Sequence, residues 1–434
     1  MITERILSHV VRLMLNRSFQ PQTAAGDSLP PPAAGRVYML YAHVPFCKTL
    51  CPYCSFNRFI FDETTARTYF RFLREELRML ADAGYVFKSV YFGGGTPTVL
   101  VDELIETIVL VKDLFGVQEV SCETNPDHLV PHICGRLEGL VQRLSVGVQS
   151  FDNALLTQMC RLQKYGTGEQ ILERIRRFAD TFETLNIDMI FNFPSQTEAV
   201  LRQDIQRVIA SGANQVSFYP LMTAPSVEQN MLKTIGKLDP SREERFYRII
   251  TEDLSPYFNP TTAWTFSRRN ADMIDEYIAE FEEYAAAGSG SFSYLDGAIY
   301  VNTFSLREYQ QRIESGKMSV SLMQRFSKAD RMRYRFMMEL FSLRLDKQRF
   351  RRDFGVPVEL GLWKEMTYLT LAGAFARNDD KEILLTPKGR YLVLAMMREF
   401  FSLMDTVRER ARSLLPEDEK RLISTEPGKP ILTR

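Results

Sequence analysis

The sequence predicts an α/β fold: a partial (β/α)6 barrel, with parallel strands that stop at six, followed by a mainly helical C-terminal domain. Two observations carry this. From residue 37 short β-branched or apolar runs alternate with longer segments of helical period, and residues with chemical capacity recur where the short runs end. The runs VYMLYAHV (37–44), SVYFGGG (89–95), VQEVSCETN (117–125), LSVGVQS (144–150), NIDMIFNF (186–193) and NQVSFYPL (214–221) read as strands. Segments such as TTARTYFRFLREELRMLADAG, DELIETIVLVKDLFG and GEQILERIRRFADTFETL read as the helices between them. Each helix returns the chain to the same edge of the sheet, so the strands run parallel. In such barrels the loops after the strands form one mouth, where chemistry collects. Cys47 follows the first run, Gly93 to Thr98 the second, Glu123 comes with the third and Gln149 with the fourth, and Asp188 lies within the fifth.

The organisation around this core follows from composition. Residues 1–36 hold an amphipathic helix and a Pro/Ala-rich linker: Ile2, Ile6, Val10, Leu13 and Met14 share a helical face beside Arg5, Arg12 and Arg17, and QPQTAAGDSLPPPAAGR ends the helix. Such a helix packs on the body or on a partner, or rests through residues 1–18 on an anionic membrane surface. Residues 37–260 form the barrel. Residues 261–324 extend it, with charged helical material and a hairpin turn at Asp296 and Gly297. Residues 325–434 form the helical domain, in which LLTPKGRYLVLAMMREFF reads as a turn entering a helix of a winged-helix-like unit; its expected role is a lid or packing module.

Charge is balanced at 54 basic and 54 acidic residues, with 45% hydrophobic residues, so no nucleic-acid partner is expected. No stretch reaches the roughly 20 apolar residues of a bilayer span. The expected location is the cytoplasm, with the first helix allowing contact at the inner membrane face.

YAHVPFCKTLCPYCSFNRF places Cys47, Cys51 and Cys54 within eight residues. In a chain this size one tight cluster points to metal or redox chemistry rather than a disulfide framework. Zinc is one occupant, but a structural zinc site takes four protein ligands, and only His43, read as packing or orienting, stands near enough in sequence to be the fourth. An iron–sulfur cube held by three thiolates is the other; it leaves one iron open for a small molecule. Cys122, Cys134 and Cys160 read as ordinary buried thiols.

Together, YAHVPFCKTLCPYCSF, YFGGGTPT, ETNP, SVGVQSF and DMIFNFPSQT resemble the radical S-adenosylmethionine (SAM) superfamily, within the group of oxygen-independent coproporphyrinogen III oxidases, haem chaperones and class C radical SAM methyltransferases. The resemblance spans residues 37 to 310. It implies a [4Fe-4S] cluster on Cys47, Cys51 and Cys54, SAM chelated to the open iron, and a low-potential electron donor. It places Tyr41, Tyr53, Gly94, Gly95, Thr96, Glu123, Gln149, Arg161 and Asp188 around SAM, and Met222 and Phe292 near a second SAM. Gly93, Gly94 and Gly95 are expected to leave backbone amides exposed toward the methionine end of the ligand.

Departures from the group narrow the substrate. Ser55 and Phe56 stand where coproporphyrinogen oxidases carry Gly-Cys, and RRNADMIDEY and YAAAGSGSF stand where haem chaperones carry a His-Asn-x-x-Tyr-Trp motif. A substrate bearing several propionates calls for several arginines, and Arg268 with Arg269 is one adjacent pair. The reading reached is class C-type methyl transfer, in which one SAM makes a 5′-deoxyadenosyl radical and a second supplies the carbon added to an sp² carbon of a flat, lipophilic acceptor such as a menaquinone-like ring or a tetrapyrrole. Coproporphyrinogen decarboxylation and non-catalytic haem binding or delivery are the alternatives. No general acid or base is assigned, since Glu282, Glu283 and Tyr284 are adjacent and cannot share one helix face.

Overall fold

Six strands of the computed structural model, which describes residues 21–24, 28–269 and 283–423, fall on the six predicted runs. They are β1 (Tyr38–Val44), β2 (Phe87–Gly94), β3 (Glu119–Thr124), β4 (Arg143–Gln149), β5 (Thr184–Phe191) and β6 (Gln215–Pro220), parallel and hydrogen-bonded in that order. Helices α1 (Glu63–Asp82), α2 (Val101–Phe115), α3 (Pro131–Leu137), α4 (Gly168–Phe178) and α5 (Glu198–Ala210) fill the five crossovers. One strand face is apolar, with Leu40, Ala42 and Val44 of β1 wholly buried, while buried polar residues elsewhere on the strands hydrogen-bond across the sheet, Arg143 to Gln215 at 2.8 Å and Asn186 to Ser145 at 2.7 Å.

Local chemistry sets the helix ends. Asp62 accepts the Thr65 N–H at 2.9 Å to start α1, and α2 stops at Gly116, whose φ of 66° suits a residue without Cβ. Helix α4 begins with a reciprocal Thr167/Gln170 cap. The sequence expectation carries it to residue 185, but it ends at Phe178, because Thr184 and Leu185 already pair with Arg143 and Leu144 of β4.

Two further strands flank the parallel run, one on each side. After α6 (Glu243–Leu254), β7 (Thr265–Arg268) pairs antiparallel with β6, and β8 (Tyr284–Ala287) pairs parallel with β1 on the other side. The predicted hairpin joins β9 (Phe292–Leu295) to β10 (Ala298–Asn302); Asp296 and Gly297 have φ of 47° and 66°, the double left-handed turn that follows strand twist. With β11 (Val320–Arg325) these strands complete a sheet whose strand order is a line rather than a ring, so the barrel stays open. Glu76 of α1 staples this extension to the barrel. Fully buried, it accepts the Gly288 N–H at 2.6 Å, the Tyr309 hydroxyl at 2.9 Å and the Ser319 hydroxyl.

The C-terminal region is largely helical. Helix α7 (Lys328–Phe341) leads to strand Arg344–Asp346, helices Lys347–Phe354 and Trp363–Leu371, and strands Phe375–Asn378 and Glu382–Leu385, which form a three-stranded sheet. That order of helix, strand, helices and paired strands is winged-helix-like. Then α8 (Pro387–Ser413), capped by Thr386 on the Gly389 N–H at 3.0 Å, runs back across the barrel. Its Arg398 donates to the buried Glu243 of α6 and, at 3.0 Å, to Glu399. No helix among the described residues is long and apolar enough to cross a membrane. The amphipathic segment expected at residues 1–18 lies outside the described residues.

Candidate active site

The thiols sit in a loop that the backbone closes at its neck. Phe46–Cys47 and Phe59–Ile60 form a short parallel ladder, with the Phe61 N–H on the Cys47 carbonyl at 2.9 Å. Inside the loop Arg58 donates through Nε to the Cys54 carbonyl at 3.1 Å and through Nη2 to the Cys51 and Cys54 carbonyls at 2.9 and 2.6 Å. Three carbonyl contacts from one planar guanidinium fix the loop's curvature. Cys47, Cys51 and Cys54 thereby line one cavity of about 400 Å³.

The loop is electropositive on one side. Arg161 donates through Nη1 to Cys51 Sγ at 3.4 Å and to the Tyr53 hydroxyl at 3.5 Å, and through Nη2 to the Gly147 carbonyl. Burial raises the Cys51 thiol, but Arg161 and Arg58 outweigh it and the net shift is downward. Cys47, with the Thr96 hydroxyl on its Sγ at 3.7 Å, is pushed up to about 11 by burial and by the neighbouring Cys54.

The donor set suits an iron–sulfur cluster. Arg58 Nη1 and Arg161 Nε are buried donors without a hydrogen-bond partner, beside three thiols, and an anionic group rich in sulfide would satisfy both. Among the described residues no three His, Cys, Asp or Glu side chains gather closely enough for a single metal ion; the thiols face a shared space. His43 is not available as a fourth ligand, since Nε2 meets the Asn57 carbonyl at 2.9 Å and Nδ1 the Tyr41 hydroxyl at 3.0 Å. Burial pulls this histidine down to about 4, so it stays neutral.

Next to the thiols lies a carboxylate pocket. Glu123, at the end of β3, accepts the Tyr91 hydroxyl at 2.9 Å and the Gly94 N–H at 3.0 Å. Burial, and then the charge of Asp188, push it up to about 7. Asp188 on β5 accepts the Ser145 hydroxyl at 2.7 Å and the Asn186 amide at 2.8 Å. Gln149 ends β4 with φ of 73°, a left-handed conformation that turns its side chain into the cavity and is the kind of local strain found at functional sites.

Tyr41, Tyr53, Gly94, Gly95, Glu123, Gln149, Arg161, Asp188, Met222 and Phe292 all line this cavity with the three cysteines, and Thr96 stands behind Cys47. The expected role of the glycines needs correction. The Gly94 N–H is taken by Glu123, and the Gly95 N–H by the Val44 carbonyl at 2.8 Å, so neither amide is open. What the glycines provide is close packing: a Cβ on Gly94 would lie 2.5 Å from the His43 ring, and one on Gly95 2.6 Å from the Phe46 carbonyl oxygen.

Other candidates fall elsewhere. Arg268 donates to the Ala213 and Ile209 carbonyls at 2.8 Å each, and Arg269 to the Ser255 carbonyl at 2.6 Å, so this pair braces backbone away from the cavity. Glu283 accepts the Asp296 N–H at 2.9 Å and pairs with Arg36, while Glu282 lies outside the described residues. Cys122 and Cys134 are buried as expected. Cys160 is not: it is half-buried, with φ of 58°, immediately before Arg161. Arg58 and Asn125 were not singled out from the sequence. Asn125 donates to Thr96 at 2.8 Å and accepts from Arg161 at 3.4 Å, and its place in ETNP was the available signal.

The far wall is different in kind. Tyr219, Trp264, Tyr334, Phe400, Phe401 and Met404, with the buried pair Asp405 and Arg408, complete the cavity from β6, the residue before β7, α7 and α8.

Residues 41–208, from the thiol loop through α5, match the model of the radical SAM superfamily. That stretch, less than half of the chain, is similar to the radical SAM superfamily. The chain carries a radical SAM catalytic domain. It is 25% identical over 368 residues to the haem chaperone HemW of Bacillus subtilis, covering 81% of this chain and 96% of that one. It is 26% identical over 394 residues to an oxygen-independent coproporphyrinogen III oxidase of Helicobacter pylori, covering 83% and 85%. The coproporphyrinogen III oxidase structure from Escherichia coli has the same fold at a TM-score of 0.73, over 89% of this chain and 98% of that one, at 19% identity. The chain therefore has the fold of that coproporphyrinogen III oxidase structure.

Proposed function

We propose that this radical SAM enzyme acts on a flat, conjugated and largely apolar ring, adding a one-carbon unit to an sp² carbon. One observation carries the reading: the cavity's far wall is a surface of aromatic rings and methionines whose charge is a single ion pair, Asp405 with Arg408. Such a wall binds a planar ring by area and stacking and excludes water from a reactive intermediate. In this reading Cys47, Cys51 and Cys54 would hold a [4Fe-4S] cluster, which would supply an electron taken from a low-potential donor. Tyr41, Tyr53, Gly94, Gly95, Thr96, Glu123, Gln149, Arg161 and Asp188 surround SAM, and Met222 and Phe292 lie toward a second SAM. Bound there, SAM supplies a 5′-deoxyadenosyl radical and, from the second molecule, the transferred carbon. A menaquinone-like ring or a tetrapyrrole has the required shape.

The likeness to coproporphyrinogen III oxidases supports a second reading, oxidative decarboxylation of coproporphyrinogen, and the likeness to haem chaperones supports haem binding or delivery. Against the former stands the shortage of cations for several carboxylates among the described residues: Arg268 and Arg269 are spent on backbone carbonyls and Arg58 and Arg161 on the thiol loop, which leaves Arg408 alone in the cavity. Anaerobic reconstitution with iron and sulfide, SAM and a reductant separates the three. Methyl transfer gives 5′-deoxyadenosine with S-adenosylhomocysteine. Decarboxylation gives 5′-deoxyadenosine with carbon dioxide from coproporphyrinogen and no S-adenosylhomocysteine. Haem binding with no SAM cleavage on any substrate overturns the enzymatic readings.

A further inference from the structure

Near its C-terminal end α8 passes beside the residues that follow the third cluster cysteine. Arg412 donates through Nη2 to the Ser55 carbonyl and, at 3.0 Å, to the Phe56 carbonyl, and its Nη1 meets Glu409 at 2.7 Å. That contact fixes the helix against the thiol loop. One turn earlier Arg408 is set differently. Its Nη1 meets Asp405 Oδ1 at 2.7 Å, and the structure gives its remaining N–H groups no hydrogen-bond partner among the described residues. Both side chains line the cavity, 9% and 4% exposed. The guanidinium lies 4.8 Å from the Phe56 ring and 5.6 Å from the Phe292 ring, so two aromatic faces hold its plane.

A buried ion pair is a poor source of stability, because desolvating both charges costs as much as their attraction returns, and apolar residues of similar size would pack this wall as well. The three arginines lining the cavity also differ in what they have left. Arg58 is committed to the Cys51 and Cys54 carbonyls and Arg161 to Gly147 and Cys51, both at the cluster end. Arg408 alone of the three stands in the aromatic half with most of its fork unspent.

We propose that Arg408, held in orientation by Asp405, anchors the substrate through an oxygen on its flat ring system, a ring carbonyl or a carboxylate, and so selects oxygenated rings over hydrocarbon of the same shape. Asp405 is a positioning residue: spaced three positions from Arg408 on one helix face, it takes one Nη and leaves Nε and the other Nη as a planar donor pair. The inference rests on the reading that the aromatic chamber receives a flat ring, and it deepens that reading by naming the feature recognised.

The test is equilibrium dialysis of the anaerobically reconstituted full chain with three probes: menadione, 2-methylnaphthalene, which keeps the two rings and lacks the oxygens, and coproporphyrin III. The variants are R408M, R408K and the double substitution D405N/R408M, which leaves no charge unpaired should R408M fail to fold. The wild type is expected to bind menadione about tenfold more tightly than 2-methylnaphthalene, the scale of one charge-assisted hydrogen bond. D405N/R408M should lose that preference while keeping its affinity for the hydrocarbon, and R408K should keep part of it. Equal loss for both naphthalenes, or an undiminished preference, overturns the anchor while the flat-ring reading stands. Binding of coproporphyrin alone, lost in the double variant, supports the anchor on a carboxylate and overturns the apolar-acceptor reading. Failure of all three probes to bind the wild type overturns the anchor.

Discussion

At the thiol end of the cavity side chains are held by directed polar contacts, whereas at the far end they are held by ring packing. Arg58, Arg161, Glu123 and Asp188 each make at least two hydrogen bonds within the barrel mouth. Opposite them Trp264 meets Phe401 and Tyr334 meets Phe400 at ring-centroid distances of 5.6 and 6.1 Å. Polar contacts fix position within a few tenths of an ångström, while aromatic packing tolerates small displacements. The first suits a step that must begin the same way each time. The second suits a pocket that must admit and release a ring.

Substituting Cys54 by alanine tests the rigid end most severely: iron content after reconstitution and SAM cleavage are both expected to fall to background, and retention of a full cluster would remove the assigned ligand set. Next is Gly95→Ala, whose Cβ would press on the Phe46 backbone; it should lower stability by about 2–4 kcal/mol, read as a lower denaturant midpoint. An unchanged midpoint would mean that the approach of Phe46 to Gly95 is relaxed in solution.

A pH series sharpens the comparison. Glu123 is raised from 4.5 to about 7 and Asp204, buried between Ser150 and the Phe151 N–H, from 3.8 to about 7, in both cases by burial first. Raised carboxyls favour the protonated folded state. Their contribution to stability is complete below the unfolded values and is lost as pH rises through about 7. SAM carries positive charge and favours ionised Glu123, so its affinity should run the other way, rising about tenfold from pH 6 to pH 8. Glu123→Gln should flatten that rise, and a slope that persists in the variant would assign it to another group.

The smallest effect is expected at the tolerant end. Phe400→Ala, at a partly exposed position on α8, should raise the KM for the ring substrate several-fold with a change in unfolding midpoint far smaller than that of Gly95→Ala. A collapse of stability instead would make that wall part of the rigid frame.

The same division governs what could be read from the chain. The six strands follow from apolar runs of fixed length, and the hairpin at Asp296 and Gly297 from two residues that tolerate left-handed backbone. Much of the thiol end was legible because Cys47, Glu123, Gln149 and Asp188 come within a few positions of successive strand ends, whereas Tyr53 and Arg161 followed only from the family resemblance. The far wall was not: Trp264, Tyr334, Phe400 and Arg408 carry ordinary core or surface signatures locally and become one surface only when α7 and α8 fold over the barrel. The parallel pairing of β8 with β1 escaped because YAAA has no strand signature of its own and is recruited by a neighbour. The glycines misled in their mechanism, since a sequence shows that a Cβ is absent and not what occupies the space.

Arg412 joins the thiol loop to a helix 356 residues further along the chain. Sequence separation of that order makes the contact form after the barrel has been synthesised, because α8 follows all six parallel strands in the chain. Until then the loop that carries Cys47, Cys51 and Cys54 lacks its Arg412 contact, and the docking of α8 supplies it.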